Sequence, residues 1–182
     1  MQSKNFKHWI AILDNKTCYI CEKMDGKIYS VDEPIYLKPP IHFACRCAIE
    51  YMQSKIAGTA TNNGLAGADY WLKYYNQLPN YYITLKDALS IGWRSQKKNL
   101  DIVAPGMMLF KGEYKNHDGH LPMKSGRIWY EADINYTSGK QRKDRILFSN
   151  DGLIFVTYDH YEHFYEIIWK EYIQQYEIHR IR

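Results

Sequence analysis

Three short apolar runs between residues 124 and 160 constrain the fold of this chain more than any other feature. They lie within 128–134, 146–148 and 153–156, and glycine-bearing or polar stretches separate them. Runs of this length, rich in aromatic and β-branched residues and bounded by turn residues, are typical of consecutive strands in an antiparallel sheet. The sequence therefore predicts an antiparallel meander in the second half of the chain.

Charged side chains interrupt these predicted strands, at Glu131, Asp133, Arg145 and His160. An unpaired charge in a core is costly, so we expect each of them to have a partner or a task. A carboxylate, an arginine and a histidine on one sheet face can cleave RNA without a metal. The carboxylate removes the proton of the ribose 2′-hydroxyl, the arginine holds the phosphate charge, and the histidine protonates the leaving 5′-oxygen.

Two helices are predicted before the sheet. Apolar residues at helical spacing indicate the first within 66–77, ahead of Leu78-Pro79. Thr84 precedes the second and is a suitable N-cap, with Asp87 in the first turn where an acid is favoured. Helices followed by an antiparallel sheet place this part of the chain in the α+β class.

All four cysteines fall in the first sixty residues, as Cys18-x2-Cys21 and then His42-x2-Cys45-x-Cys47. Two close pairs of thiols on either side of a loop are typical of a tetrahedral zinc site. A segment this short buries little core by itself, so a structural zinc would help to stabilise it. Two disulfides in an exported domain are the alternative. With five candidates for four places, either His42 or one of the two later cysteines is in excess.

Composition divides the chain into four segments. Residues 51–65 are small, polar and glycine-bearing, as in a linker. We therefore expect a Cys-rich zinc module at 1–57, a linker at 58–65, a second domain at 66–168 and a C-terminal extension at 169–182. Apolar residues of the extension recur at helical spacing, which favours a short helix.

The charge and hydropathy patterns limit the function classes. The net charge of +4 is mild, so contact with nucleic acid would depend on a local patch. No apolar run approaches the roughly 18 residues of a membrane span. The first sixteen residues lack the uninterrupted apolar core of a secretory signal, so we expect no signal peptide in this chain.

Residues 65–168 contain a series of distinctive short motifs, which are Leu78-Pro79, Tyr82-Ile83-Thr84, Gly92-Trp93, Asn99-Leu100, Val103 to Gly106, Lys124 to Arg127, Glu131 to Gly139, Asp144 to Leu147 and Asp159-His160-Tyr161. Through these motifs this part of the chain resembles the barnase family of guanyl-preferring microbial ribonucleases. The resemblance implies an α+β fold, an antiparallel sheet with N-terminal helices. It also implies an endoribonuclease that cuts RNA 3′ of guanosine through a 2′,3′-cyclic phosphate, with no cofactor for catalysis.

The same resemblance assigns roles to residues. Glu131 matches the general base and His160 the general acid, while Arg145 matches a residue that holds the scissile phosphate. The loop at 115–118 matches the loop that holds the guanine base, with Asp118 in the position of its acid. An ordinary polar hairpin turn is the alternative for this loop. The further candidates for substrate binding are Lys115, Asn116, His117, Arg142, Tyr161 and Lys86.

The chain departs from the family pattern where the family has cations. Leu85 stands in the place of a catalytic lysine, Gln141 in that of a phosphate-binding arginine, and His117 in that of an arginine of the guanine loop. Lys86 is one residue away, but one residue turns a helical side chain by about 100°. Leu85 and Gln141 favour the alternative function, a structural phage-head-associated protein whose degenerate ribonuclease fold binds RNA or protein without cleaving.

Residues 7–49 resemble the C-terminal end of Mu-F-like phage minor head proteins. The shared features are Trp9, the Cys18 to Cys21 pair, Asp25-Gly26, Pro39-Pro40 and His42 to Cys47. Together the two resemblances imply a delivered ribonuclease toxin, either associated with a phage particle or exported into the cytoplasm of a target cell. The partners implied are RNA, phage head proteins and a barstar-like immunity protein that would cover Glu131, Arg145 and His160.

Overall fold

The structure is a computed structural model, and it describes residues 6–169. The helix expected within 169–182 therefore lies almost entirely outside the described residues. Two β-sheets form the molecule. The smaller has the strand order β2-β1-β3 and is antiparallel throughout. Its strands are β1 (Phe6–Ile10), β2 (Ile28–Ser30) and β3 (Ala48–Tyr51), and helix α1 (Tyr19–Met24) lies between the first two.

The larger sheet has seven strands in the order β4-β10-β9-β8-β7-β6-β5. They are β4 (Ser54–Ile56), β5 (Tyr82–Thr84), β6 (Met108–Tyr114), β7 (Trp129–Asp133), β8 (Arg145–Ser149), β9 (Ile154–Thr157) and β10 (Tyr165–Ile168). The strands from β6 to β10 pair antiparallel with their neighbours, whereas the edge strands β4 and β5 pair in parallel. The predicted antiparallel meander is confirmed.

Three α-helices precede the central strands: α2 (Ala68–Tyr75), α3 (Leu85–Ser90) and α4 (Leu100–Val103). Short 3-10 helices cover Gly64–Ala66 and Ser95–Lys97. The N-cap prediction for α3 is confirmed, because the Thr84 hydroxyl accepts a hydrogen bond of 3.1 Å from the Asp87 amide. Helix α2 packs its buried Leu72 against Ile146, Val156 and Ile167 of the sheet. The α+β class is thus confirmed.

The segment expected to be a free linker is instead fastened to the larger sheet. Strand β4 pairs with β10, and Ala57 and Ala60 are buried in the same core as α2. The buried carboxylate of Asp69 accepts hydrogen bonds from the amides of Gly58 at 2.7 Å and Ala60 at 2.9 Å. Small residues permit both flexibility and close packing, and here they serve close packing. A Cβ on Gly67 would collide with the side-chain oxygen of Thr61.

The Cys-rich module shares a core with the larger sheet. Phe6 of β1 and Ile28 of β2 are buried in one cluster with Trp129 and Phe155. The rings of Phe6 and Phe155 meet edge to face, with their centroids 5.2 Å apart. The Ile28 amide also donates to the His120 carbonyl at 2.9 Å. The module therefore packs directly on the sheet, beside the loop at 115–121.

No helix within residues 6–169 is long and apolar enough to cross a membrane.

Candidate active site

Glu131 is the point at which the charged residues of the sheet meet. It lies in the middle of β7, opposite Leu147 of β8, and its side chain is 12% exposed. Its Oε1 atom accepts hydrogen bonds from Arg145 Nε at 3.0 Å and from the Tyr161 hydroxyl at 2.7 Å. Lys111 Nζ lies 3.4 Å from the same oxygen. Two hydrogen bonds and one ion pair therefore converge on one carboxylate oxygen and fix the direction of the side chain.

Arg145 is buried and almost fully engaged by the protein. It begins β8 opposite Asp133, and only 5% of it is exposed. Its Nη1 donates to the Arg142 carbonyl at 2.6 Å and to the Asp144 carbonyl at 2.8 Å. Its Nε is committed to Glu131 and lies 3.1 Å from Asp133 Oδ1. Among the described residues nothing accepts a hydrogen bond from Nη2, so this nitrogen is the part of the guanidinium left for a ligand.

Asp133 is the second carboxylate that pairs with Arg145 and Lys111. It is 1% exposed, and its Oδ1 lies 3.1 Å from Arg145 Nε and 3.3 Å from Lys111 Nζ. Burial raises the pKa of Asp133 above its ordinary value, although the two cations act in the opposite direction. Two carboxylates and two cations thus form one compact network on this face of the sheet.

The loop between β9 and β10 brings Tyr161 to Glu131 and places His160 next to Tyr161. Both residues have a positive φ, of 65° for His160 and 74° for Tyr161. Such backbone conformations are costly outside glycine and cluster at functional sites. Thr157 holds the loop, because its hydroxyl accepts from the Tyr161 amide at 2.9 Å. The exposed His160 ring lies 4.6 Å from the Tyr161 ring, and burial raises the pKa of Tyr161.

The candidate base-binding loop is rigid and reaches the same site through an aromatic pair. The buried Asn116 side chain donates to the Leu121 carbonyl at 2.9 Å and accepts from the Leu121 amide at 3.0 Å. This side chain therefore stabilises the loop instead of facing a ligand. Tyr114, just before the loop, stacks on Tyr161 with centroids 5.7 Å apart. Burial raises the pKa of Tyr114 to about 12, and the charges of Glu131 and Asp118 add to that effect.

The other candidates of this loop are exposed. Lys115 forms an ion pair of 2.8 Å with Glu113, on the surface. His117 and Asp118 are exposed and face a surface cleft that Lys23 and Lys27 of the Cys-rich module also line. The backbone amides and the Asp118 carboxylate thus remain the groups of this loop that can meet a base.

A cavity of about 340 Å³ opens beside Arg145. Leu85 and Gln141, the two positions where the family pattern has cations, both line it. Lys86 and Arg142, the neighbouring basic residues that were candidates for substrate binding, are exposed and do not line it. The remaining lining residues are Trp93, Ser95, Lys98, Leu109, Lys111, Lys140 and Arg145. The helical turn between Leu85 and Lys86 explains why Lys86 lies outside.

Two family models match different parts of the chain. A family model described as ribonuclease matches residues 66–168, which is more than half of the chain. The chain belongs to the ribonuclease family. A second model, described as Phage Mu protein F like protein, matches residues 1–50. Both resemblances drawn from the sequence are therefore confirmed.

Three curated relatives are each described as "Ribonuclease", from Heyndrickxia coagulans, Bacillus intermedius and Bacillus pumilus. Each is 47% identical over 100 residues, which is 55% of this chain. The match covers 91% of the first relative but 61% of the other two, which is less than two thirds of their length.

Hydrogen bonds join Glu131 to Arg145 and Tyr161, and the His160 ring lies beside Tyr161, whereas Lys111 was not among the residues predicted from the sequence. Lys111 and Gly112 lie opposite Glu131 in a β-bulge, where the register of β6 against β7 shifts. Gly112 has a φ of 87°, and such bulges redirect side chains beside active sites. In the sequence, the only sign that the Lys111 side chain is redirected is the Lys-Gly pair within the predicted strand.

The cysteine cluster brings all five predicted groups together. His42 Nε2 lies 3.2 Å from Cys18 Sγ and 3.3 Å from Cys21 Sγ, while Cys21 and Cys45 have their sulfurs 3.8 Å apart. Cys47 joins Cys21 and Cys45 within 4.8 Å. Sulfurs bound to one tetrahedral zinc at about 2.3 Å are about 3.8 Å apart, so the spacing fits that metal.

The chemistry of the donors also fits a cation. Burial raises the pKa of Cys21, and the neighbouring thiols Cys47, Cys18 and Cys45 raise it further. Four crowded thiols therefore cannot all ionise unless a positive charge lies among them. A bound zinc would be held by four of these five groups and would join α1 to the segment at 42–47.

Proposed function

We propose that the ribonuclease domain cleaves RNA 3′ of guanosine, by transesterification to a 2′,3′-cyclic phosphate and without a catalytic metal. The observation that carries this proposal is the convergence on Glu131. A carboxylate held by Arg145 and Tyr161, beside a cavity with cationic walls, has the geometry of a general base next to a phosphate. Its second oxygen is left to accept a proton.

In the proposed first step Glu131 takes the proton from the ribose 2′-hydroxyl. The 2′-oxygen then forms a bond to phosphorus, and the bond to the 5′-oxygen of the next nucleotide breaks. His160 gives its proton to that leaving oxygen. In the second step water attacks the cyclic phosphate, with His160 as the base and Glu131 as the acid. Arg145 Nη2 offers a hydrogen bond to the charge that develops on the phosphate.

The preference for guanosine would come from the loop at 115–118 and the aromatic pair beside it. A guanine ring has donor N–H groups, which a carboxylate such as Asp118 can accept, and a face that stacks on Tyr114 or Tyr161. The rigid backbone set by Asn116 supports this role, because fixed amides discriminate between bases better than mobile side chains.

The biological setting proposed is a delivered toxin. The Mu F-like module would act as a carrier, associated with a phage particle or exported, with zinc as its structural staple. The maker would then need protection, and a small acidic immunity protein of barstar type could cover Glu131, Arg145 and His160 with carboxylates.

A second candidate function is RNA or protein binding without cleavage. It is favoured by one observation, that Leu85 and Gln141 leave the cavity beside Arg145 without the two family cations. In that case the fold would still offer an aromatic pair and a basic cavity to a single strand.

The test is cleavage of a short RNA that contains one guanosine, with the same RNA carrying 2′-deoxyguanosine at that position as the control. Our proposal predicts cleavage 3′ of the guanosine, a 2′,3′-cyclic phosphate on the product, and an intact control. Cleavage of the deoxy control would exclude the 2′-hydroxyl as the nucleophile. Binding of both RNAs with cleavage of neither would establish the second candidate.

A further inference from the structure

The cavity beside Arg145 is the part of the candidate site where a phosphate would bind, and several hydrogen-bond donors lie around it. Within residues 6–169 the buried Gln141 Nε2 and Trp93 Nε1 have no hydrogen-bond partner, and both residues line the cavity beside Arg145. Lys98, Lys111 and Lys140 line the cavity as well, so its walls carry positive charge. Within the described part of the chain, Arg145 Nη2 is a further donor without a partner. The cavity therefore has the chemistry of a phosphate site.

Arg145 cannot neutralise a phosphate in that site by itself. Its Nε and Nη1 are bonded to Glu131 and to two backbone carbonyls. Only Nη2 is left, so the two-nitrogen clamp that arginine usually offers is not available. Its charge is also shared with Glu131 and Asp133. A reaction that adds negative charge to the phosphate would need a second cation close to the base.

Lys111 is the cation in that position. The bulge at Lys111-Gly112 turns the side chain towards the face of Glu131, and the residue lines the cavity together with Leu85 and Gln141. Its Nζ is within 3.4 Å of both carboxylates, Glu131 and Asp133. An ammonium has three N–H groups. Two can point to the carboxylates, and the third remains for a phosphate oxygen.

We propose that Lys111 contacts the scissile phosphate and stabilises the pentacovalent transition state. It would thus supply, from strand β6, the charge missing at Leu85 and Gln141. This assignment rests on the proposed ribonuclease activity. As the 2′-oxygen loses its proton to Glu131, Lys111 would exchange part of its ion pair with that residue for the growing charge on a nonbridging oxygen.

The first test compares Lys111→Met with Lys111→Arg on a guanosine-containing dinucleotide. Loss of a group that acts in the transition state lowers kcat by about 100-fold or more. We expect that loss for the methionine variant, with KM changed less than about threefold and the arginine variant within about tenfold of wild type. Lys38→Met removes one exposed positive charge from the Cys-rich module and should leave both constants unchanged. Equal kcat values for wild type and Lys111→Met would overturn the proposal.

A second variant separates the phosphate role from a purely structural role against Asp133. In Lys111→Met, a further Leu85→Lys change places a cation at another lining position of the same cavity. The proposal predicts recovery of about tenfold or more in kcat. A structural role predicts none, and it predicts a lower melting temperature for Lys111→Met that Leu85→Lys leaves in place.

Binding of guanosine 3′-monophosphate distinguishes failure of this assignment from failure of the proposed activity. If the wild-type chain proves unable to cleave, Lys111→Met should still weaken binding of the nucleotide while leaving the much weaker binding of guanosine unchanged. An equal loss for both ligands, or for neither, would contradict a contact between Lys111 and the phosphate.

Discussion

The two halves of the candidate active site are built differently. In the proposed acid–base half, Glu131, Tyr161 and His160 match the residues of the family pattern, and hydrogen bonds of 2.7 and 3.0 Å fix Glu131. The phosphate half has lost cations at Leu85 and Gln141, and Lys111 on another strand faces the same cavity. Proton transfer needs one group at one place, whereas charge stabilisation acts over a few ångströms and can come from several directions. The difference suggests that positive charge can move between strands while the general base cannot.

The largest expected effect is in the acid–base half. Glu131→Gln keeps the shape and the hydrogen bond from Tyr161 but removes the base, so kcat/KM on RNA should fall by about 1,000-fold. Glu113→Gln is the matched control, because Glu113 is an exposed carboxylate on the neighbouring strand whose ion pair is with Lys115. It should change kcat/KM less than about twofold. Similar losses in both variants would mean that the effect is general electrostatics.

A gain is expected in the phosphate half. Leu85→Lys together with Gln141→Arg returns two cations to the cavity wall, and kcat should rise by about tenfold or more. Leu85 is part of the packing beside Trp93 and Leu100, so a small loss of stability is expected as well. The comparison of kcat at a temperature well below melting separates the two effects. An unchanged kcat would show that Lys111 already supplies all the charge the site can use, whereas a fall with an unchanged melting temperature would contradict the assignment of this cavity to the phosphate.

Removal of a bound metal should leave the rate of RNA cleavage almost unchanged. If the cysteine cluster binds a structural zinc, a chelator or Cys21→Ser should lower the melting temperature of the chain. Cleavage at about 25 °C should change less than about twofold, because the ribonuclease residues lie in the other sheet. Ser90→Ala, at an exposed position at the end of α3 and away from the cluster, is the control substitution. Loss of cleavage in chelator, restored by zinc, would tie the chemistry to the module.

The smallest effect is expected on stability, at the turn between β8 and β9. Arg127 holds the pKa of Asp151 down to about 2 through paired hydrogen bonds. The stabilisation is therefore present above the unfolded pKa of about 3.9 and is lost as the pH falls towards about 2. Asp151→Asn should lower the free energy of unfolding at about pH 7 by about 1 kcal/mol or less.

The same substitution should have a clearly smaller effect near pH 2, where about half of the folded molecules carry a protonated Asp151, and Asp32→Asn, at an exposed position, none at either pH. Urea unfolding at the two pH values measures both. An equal loss at neutral and at acid pH would assign the effect to packing instead of charge.

The sequence predicted those parts of the fold that depend on local pattern. Strands β7 to β9 could be predicted because each is a short apolar run, and the cap of α3 because Thr84 has a hydroxyl at the start of the helix. The segment at 58–65 could not, because its small residues suit a linker as well as the tight packing around Asp69. Lys111 was missed because its direction depends on the bulge at Gly112, which appears only when β6 pairs with β7.

The most direct test of the central claim changes the leaving group. The wild-type chain, Glu131→Gln and His160→Ala would be compared in excess chelator on RNA and on guanosine 3′-(4-nitrophenyl phosphate). A nitrophenolate leaves without a proton, so this ester needs the base but not the acid. The account predicts that His160→Ala loses about 100-fold or more on RNA and less than about tenfold on the ester, whereas Glu131→Gln is slow on both. Equal losses for His160→Ala on the two substrates, or a fast Glu131→Gln, would contradict it.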